Sequence, residues 1–378
     1  MKTLIATTCR ADYPGCAAVC RCMNASGSLT AELLVAGAHL SPEFGLTINE
    51  IERDGLPIAD RLECLLSSST SEGLTKSLGV SLIGLATTMA RTRPDLVLVF
   101  GDRLEVLAPA IAALAAGIPI AHIGGGDVSE GSLDNQIRFV LSRLSHLHFV
   151  AMQEHADRLI AAGEEPWRIS VTGDPALDEV ASLPRKSRQE LASLVDTELI
   201  NPVAAVTMHP NTIERDGTRE VEAVFQALDD WPGTVVITYP GADAGWRDLA
   251  EAANSFARGH SRAVAVPSLG RLNYYSLLEH ASVMVGNTSS GIWESPTFRL
   301  PVVNVGERQK GRLRAANVID VAAEASAIRR ALQAALAPSF KASLRDLANP
   351  YGDGRAAARI VAQLEALPLT PRLFMKPA

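Results

Sequence analysis

Short apolar runs recur along the chain, each followed by a polar turn and then by a stretch with helical spacing. TLIATT comes first, and AELLVAG follows near residue 35. DLVLVFGD spans Asp95–Asp102, IPIAHIGGG spans Ile118–Gly126, and HLHFVAM starts at His146. β-Branched runs this short, with no polar alternation, suit strands covered on both faces of a parallel sheet. Between them the spacing predicts helices, for example over Arg103–Ala116 and Asp134–Arg143. Strands alternating with helices imply βαβ units.

The rhythm weakens over Leu183–Pro202, LPRKSRQELASLVDTELINP, which reads as a polar linker. It resumes in VAAVTMHP, GTVVITYPG, RAVAVPS, ASVMVGNTSSG and LPVVNVGE. The expectation is two doubly wound α/β domains, 1–182 and 183–366. The last helix, near Gly354–Ala366, can pack back on the N-terminal domain. The tail 367–378, LPLTPRLFMKPA, is expected to be poorly ordered.

Length agrees, because 378 residues exceed one ordinary core. A formal net charge of −7 argues against a nucleic-acid partner, which needs a basic face. It leaves room for a small anion held by local arginines. The longest apolar run, Val106–Ala121, is broken by Pro109, Gly117 and Pro119, so no membrane span is expected. MKTLIATTCRADY does not read as a signal peptide. The five cysteines are odd in number and form no CxxC pair. Cys16, Cys20 and Cys22 fall close together on a helix, but no distant Cys/His pair completes a metal site. Reduced thiols in a cytoplasmic protein are the expectation.

Ligands of open parallel sheets sit beyond the carboxyl ends of the strands. The chemically unusual residues fall there: Arg10 and Asp12, Asp102 and Arg103, the run Gly124–Gly126, His209, Asp243, and GNTSSG. Two such domains facing each other across a cleft would suit a substrate with a nucleotide at one end and a sugar at the other. VMVGNTSSGIWES reads as strand, hydroxyl cluster and helix start, where Thr288, Ser289 and Ser290 can hold a phosphate. An ordinary helix cap gives the same pattern. Glu294, placed near the start of that helix, can accept ribose hydroxyls or simply complement the helix dipole. Arg308 follows a strand and can pair with phosphate. His209, between a strand and a proline-fixed turn, can support a leaving phosphate. Asp102 with Arg103, and Asp134 with Arg138, can move protons near a sugar, although Asp134 also reads as a helix cap. The stretch AHIGGGDVSEGSLDNQIR, Ala121–Arg138, offers bare backbone and then crowds carboxylates beside it.

These motifs occur in a definite order: RADY, AHLSPEFGLTINEIERDG, SSSTSEGLTKSLG, PDLVLVFGDR, AHIGGGDVSEG, LSHLHFV, HP, YPGADAG, SLGRLNYYSLLEHASVMVGNTSSGIWESP, NVGERQKGR and NPYGDG. In that order the chain resembles the hydrolysing UDP-N-acetylglucosamine 2-epimerases over about residues 1–365. The resemblance implies two Rossmann-like domains in the GT-B arrangement with an interdomain cleft, UDP held mainly by the C-terminal one. It implies conversion of a UDP-2-acetamido sugar and water to UDP and the 2-epimeric free sugar through a 2-acetamidoglucal. No metal or redox cofactor is expected, and a homodimer is. The resemblance assigns Arg10, His209, Thr288, Ser289, Glu294 and Arg308 to diphosphate and ribose, and Asp243 and Arg247 to the nucleotide side. It assigns Asp102 and Asp134 to proton transfer, with Arg138 in support.

The chain departs from the family pattern at Gly124 and Gly241, and Pro14 and Gly15 follow RADY where relatives vary. Members often carry a carboxylate at the position of Gly124, flanked here by His122 and Asp127, so the C2 base is Asp102, Asp134 or Asp127. Gly241 stands where an asparagine is expected before ADAG. The sugar is therefore N-acetylglucosamine or a 4-acetamido-6-deoxy analogue of the kind used for legionaminic-type acids. Competing readings are a GT-B glycosyltransferase, a non-hydrolysing epimerase and a catalytically inactive sugar-nucleotide sensor.

Overall fold

Each short apolar run read above as a strand contains one in the computed structural model, which describes residues 1–211, 213, 218–367 and 370–376. The chain forms two compact units. Unit 1 gathers Met1–Asp127, Asp134–Ser182 and Tyr351–Ala378, and unit 2 gathers Val128–Leu133 and Leu183–Pro350.

Unit 1 holds β1 (Lys2–Thr7), β2 (Thr30–Ala36), β3 (Ile58–Leu62), β4 (Leu96–Phe100), β5 (Ile120–Ile123), β6 (Leu147–Val150) and β7 (Ile169–Val171). They form one parallel sheet in the order β3-β2-β1-β4-β5-β6-β7. The continuous apolar runs follow from burial on both faces. In β4, Leu96 and Leu98 join one core layer with the helices Tyr13–Ser26 and Ala356–Ala366. Val97 and Val99 join the other, with Ser71–Thr92 and Leu107–Ala115. Each such side chain contributes about 1.5–3 kcal/mol by leaving water. The edge strands β3 and β7 are only half-buried, and no apolar run announces them.

Unit 2 repeats the scheme with β8 (Ala204–Thr207), β9 (Val235–Thr238), β10 (Ala263–Val266), β11 (Val283–Gly286), β12 (Val302–Val305) and β13 (Val318–Val321). Their order is β10-β9-β8-β11-β12-β13, again parallel. Val206, Val285 and Val303 pack against Val224, Leu228, Ile328 and Leu332.

The segment read as a linker folds within unit 2. Arg188–Leu194 is a helix whose start is closed by a capping box between Ser187 and Glu190. Val128–Leu133 also belongs to unit 2, where the Glu130 N–H donates to the Lys310 carbonyl at 2.9 Å. The last helix, Ala356–Ala366, lies in unit 1, and its first N–H groups donate to the Asp178 carboxylate at 2.9 and 2.7 Å.

Residues 370–376 of the tail depart from the expectation of poor order, and 368, 369, 377 and 378 lie outside the described residues. Pro371–Phe374 is a short 3-10 helix with Leu373 buried. The buried Arg168 guanidinium donates to the carbonyls of Leu373 and Met375 at 2.8 Å each. Lys376 donates to the Ser145 carbonyl at 2.6 Å and pairs with Glu164 at 2.8 Å. Polar anchoring of this kind leaves no trace in hydrophobic periodicity.

Candidate active site

Strand order reverses direction between β1 and β4, the place where loops of such sheets diverge and admit ligands. Three loops open there. Arg10 and Asp12 follow β1, Gly101–Arg103 follow β4, and Gly124–Asp127 follow β5. Gly124 and Gly126 have φ of +91° and +74°, which L side chains adopt at a cost. A β-carbon on Gly124 would sit 3.7 Å from the Gly101 Cα, so the glycine run lies against the loop carrying Asp102.

Arg138 organises these loops from the helix Asp134–Leu144. Its guanidinium pairs with the Asp102 carboxylate and donates to the Asp127 carbonyl at 3.0 Å and to Asn135 Oδ1 at 3.1 Å. The Arg138 side chain is 1% exposed and that of Asp102 18%, so the carboxylate is reachable while its cation is not. Asp127 is buried, with Oδ1 3.5 Å from His155 Nε2. Burial pushes the His155 pKa down to about 4, keeping the ring neutral at pH 7. His122 is likewise pushed down to about 4 by burial. Its Nε2 lies 2.8 Å from the Gly101 carbonyl oxygen, so the neutral ring donates there. Asp134 opens the helix one turn before Arg138. Arg103 pairs with Glu105 at 3.3 Å.

Unit 2 has its own switch point between β8 and β11. His209 follows β8, and Asp243 follows β9 with Oδ2 3.8 Å from His209 Nδ1. The His209 N–H donates to Asn287 Oδ1 at 2.7 Å, and its carbonyl accepts from Asn287 Nδ2 at 2.9 Å. Thr288, Ser289 and Ser290 come next after β11, and Ser290 Oγ accepts from the Tyr274 hydroxyl at 2.8 Å. Arg308, buried beyond β12, donates to the Asn287 carbonyl at 3.3 Å. Arg247 is exposed on the first turn of the helix Trp246–Gly259, with its guanidinium 5.4 Å from the centre of the Trp246 ring.

Two readings need correction. Asp12 was expected at the substrate, yet it is buried in its own loop. It accepts from Thr7 Oγ1 at 2.5 Å, Thr8 N at 2.9 Å, Thr8 Oγ1 at 2.8 Å and Cys9 N at 3.3 Å. Glu294 was placed near the start of a helix. That helix is the single turn Ser290–Trp293, and Glu294 caps its far end. One turn aligns too few peptides to build a strong dipole, so any phosphate here depends on hydroxyls and Arg308. Burial raises the Glu294 pKa, against hydrogen bonds from Ser290 and Tyr275.

Asn287, Gln309, Glu220 and His155 escaped the sequence reading. Asn287 lies inside the quoted GNTSSG stretch, where attention went to the hydroxyls. Among the described residues, no group of three or more His, Cys, Asp or Glu side chains is placed to hold a metal ion. No described helix is long and apolar enough to cross a membrane.

Residues 21–365 match the sequence model of the UDP-N-acetylglucosamine 2-epimerase family. The chain is 33% identical over 377 residues to a UDP-N,N'-diacetylbacillosamine 2-epimerase (hydrolyzing) of Legionella pneumophila, covering 99% of this chain and 98% of that one. It is also 33% identical over 322 residues to a GDP/UDP-N,N'-diacetylbacillosamine 2-epimerase (hydrolyzing) of Campylobacter jejuni, covering 84% of each. The crystal structure of UDP-GlcNAc 2-epimerase from Neisseria meningitidis bound to UDP-GlcNAc superposes with a TM-score of 0.81 at 18% identity. That match covers 96% of this chain and 99% of the other, and shows a shared fold.

Proposed function

We propose a reaction for this chain from one established fact: it belongs to the UDP-N-acetylglucosamine 2-epimerase family. It is a hydrolysing 2-epimerase acting on a UDP-linked 2-acetamido sugar. The substrate we assign is UDP-N,N'-diacetylbacillosamine, the 2,4-diacetamido-trideoxy sugar nucleotide. The observation that carries this choice is the pair of relatives at 33% identity, both named for that sugar. A UDP-N-acetylglucosamine 2-epimerase of Neisseria meningitidis stands at 29%.

The C2 hydrogen beside an acetamido group is a very weak acid. Loosening the C1–O bond builds oxocarbenium character and acidifies it. The electron pair of that bond leaves with UDP, whose growing charge needs preorganised donors. His209, Arg308, Thr288, Ser289 and Ser290 supply them in unit 2, with Asp243 beside His209. Glu294 and Arg247 take the ribose and nucleoside side, and Arg10 adds a cation. Removal of the C2 proton leaves a 2-acetamidoglucal. Water then adds across the double bond, hydroxyl to C1 and proton to the opposite face of C2.

Two proton carriers on opposite faces of C2 are therefore needed. Asp102 is accessible and held by the buried Arg138, so we assign it as the C2 base. Asp134 is the second carrier, and the buried Asp127 holds the glycine loop. Gly124 and Arg103 shape the backbone and charge around the sugar. The free product is of the type used for sialic- and legionaminic-type acids. We place the enzyme in the cytoplasm as a homodimer, a reading supported by its unpaired cysteines and its family.

The test is NMR of the purified protein with UDP-N,N'-diacetylbacillosamine or UDP-N-acetylglucosamine in D₂O. We expect UDP, a free sugar inverted at C2 and deuterium at C2, with faster turnover of the diacetamido substrate. Asp102→Asn should slow UDP release by about 10²-fold or more while the fold persists. Free sugar of unchanged configuration and without deuterium would refute the epimerase reading. Faster turnover of UDP-N-acetylglucosamine would reassign the substrate.

A further inference from the structure

We infer that Asn287 is a positioning residue for departure of the diphosphate, acting through His209 without touching the substrate. This rests on the role given to His209 above. The backbone ladder between β8 and β11 ends at the pair Thr207–Gly286. One residue further on, the Asn287 side chain takes over the pairing. Its Oδ1 accepts from the His209 N–H at 2.7 Å and its Nδ2 donates to the His209 carbonyl at 2.9 Å. Two opposed bonds to one residue's main chain fix the peptide planes on both sides of its Cα, and hence the direction in which the imidazole leaves the backbone.

The rest of Asn287 is also engaged. Nδ2 donates a second time, to Glu220 Oε2 at 3.0 Å, on the helix Arg219–Leu228. Its main-chain carbonyl accepts from Gln309 Nε2 at 2.7 Å and Arg308 Nη1 at 3.3 Å. One residue with no exposed surface thus ties together the His209 loop, by its side chain, and the loop of Arg308, by its main-chain carbonyl. The neighbours make room for it. A β-carbon on Gly306 would overlap the Glu220 carboxylate, and one on Gly286 would overlap the Thr207 carbonyl. The residue type is specified as well. An aspartate could not donate to the His209 carbonyl and would face the Glu220 carboxylate, and an aliphatic side chain would remove all three side-chain hydrogen bonds.

A buried amide with only a structural role would show the same bonds, so the experiment must separate the two. We would measure kcat and KM for UDP release, with thermal midpoints, for Asn287→Ala, His209→Ala and the double variant. Asn287→Ala is expected to lower kcat by about 10- to 100-fold, with KM changed less than about threefold. In the His209→Ala background the same substitution should change kcat less than about threefold, because its route of action is already gone. Losses that multiply in the double variant would overturn the inference and leave the role of His209 intact. A His209→Ala enzyme of normal turnover would remove the underlying reading, and this inference with it.

Should Asn287→Ala fail to fold, Asn287→Asp carries the test, because it keeps the shape and the acceptor. Adding Glu220→Gln restores a hydrogen bond of reversed polarity between positions 287 and 220. The pair should recover the thermal midpoint but not kcat, since the His209 carbonyl still lacks its donor. Recovery of both together would show a structural role and defeat the inference.

Discussion

Asp12 shows how far a side chain's meaning depends on its own loop. In the sequence it sits beside Arg10 at the end of a strand and looks available to a ligand. In the fold its two oxygens are taken by Thr7, Thr8 and Cys9. His39 completes the arrangement, its Nε2 2.8 Å from Thr7 Oγ1 and its Nδ1 2.7 Å from Thr47 Oγ1. The Thr7 hydroxyl donates to Asp12, so it accepts from His39, which fixes the proton on Nε2. Truncating Asp12 would leave several buried donors without an acceptor, each worth roughly 1–3 kcal/mol. Asp12→Ala should therefore destabilise unit 1 by about 2–4 kcal/mol. Urea unfolding measures this directly. A midpoint equal to that of the unmodified protein would return Asp12 to the list of ligand contacts.

At the scale of elements, the glycine run after β5 separates two effects that the sequence presents as one. Gly124 needs a left-handed backbone, but a β-carbon there would make only ordinary contact, 3.7 Å from the Gly101 backbone. Gly126 needs the same backbone, and a β-carbon there overlaps the His155 carbonyl oxygen. Gly124→Ala should cost about 1–2 kcal/mol, the left-handed penalty alone. Gly126→Ala should cost at least about twice that, because the backbone at His155 must move. Paired thermal melts check the ratio, and equal shifts would mean that the loop relaxes freely. The same contrast explains what could be read in advance. Strands flanked on both sides and covered on both faces were legible, because burial demands unbroken apolar runs. The half-buried edge strands β3, β7 and β13 were not, since IADRL, ISV and VIDV are short or interrupted by charge, whereas the equally half-buried edge strand β10 keeps the unbroken apolar run AVAV. A one-turn helix such as Ser290–Trp293 is too short to carry a period. Asn287 depends on the register of β8 with β11, which no local pattern encodes. The position of Asp102 and His209 at the carboxyl ends of central strands was legible, because the topology forces them there.

The molecule as a whole carries its acid sensitivity in one unit. His122, His146 and His155 lie in unit 1, and burial pushes each pKa down to about 4. Unfolded, each titrates near 6.5. Between about pH 6.5 and 4 the unfolded chain binds more protons than the folded one, so stability falls as pH falls. At pH 5 each histidine then removes about 2 kcal/mol relative to pH 7. Glu164 extends the loss. Burial alone would raise its pKa, but hydrogen bonds from His148 and Lys376 lower it to about 2, so its contribution disappears between about pH 4.5 and 2. Unit 2 contains a group of opposite sign, because the raised pKa of Glu294 favours the folded state on acidification. Hydrogen exchange, corrected for intrinsic rates, should show protection in β5 and β6 falling steeply from pH 7 to 5. Protection in β8 and β11 should stay nearly level. Parallel losses in both sheets would mean that the buried histidines of unit 1 are not what acid attacks.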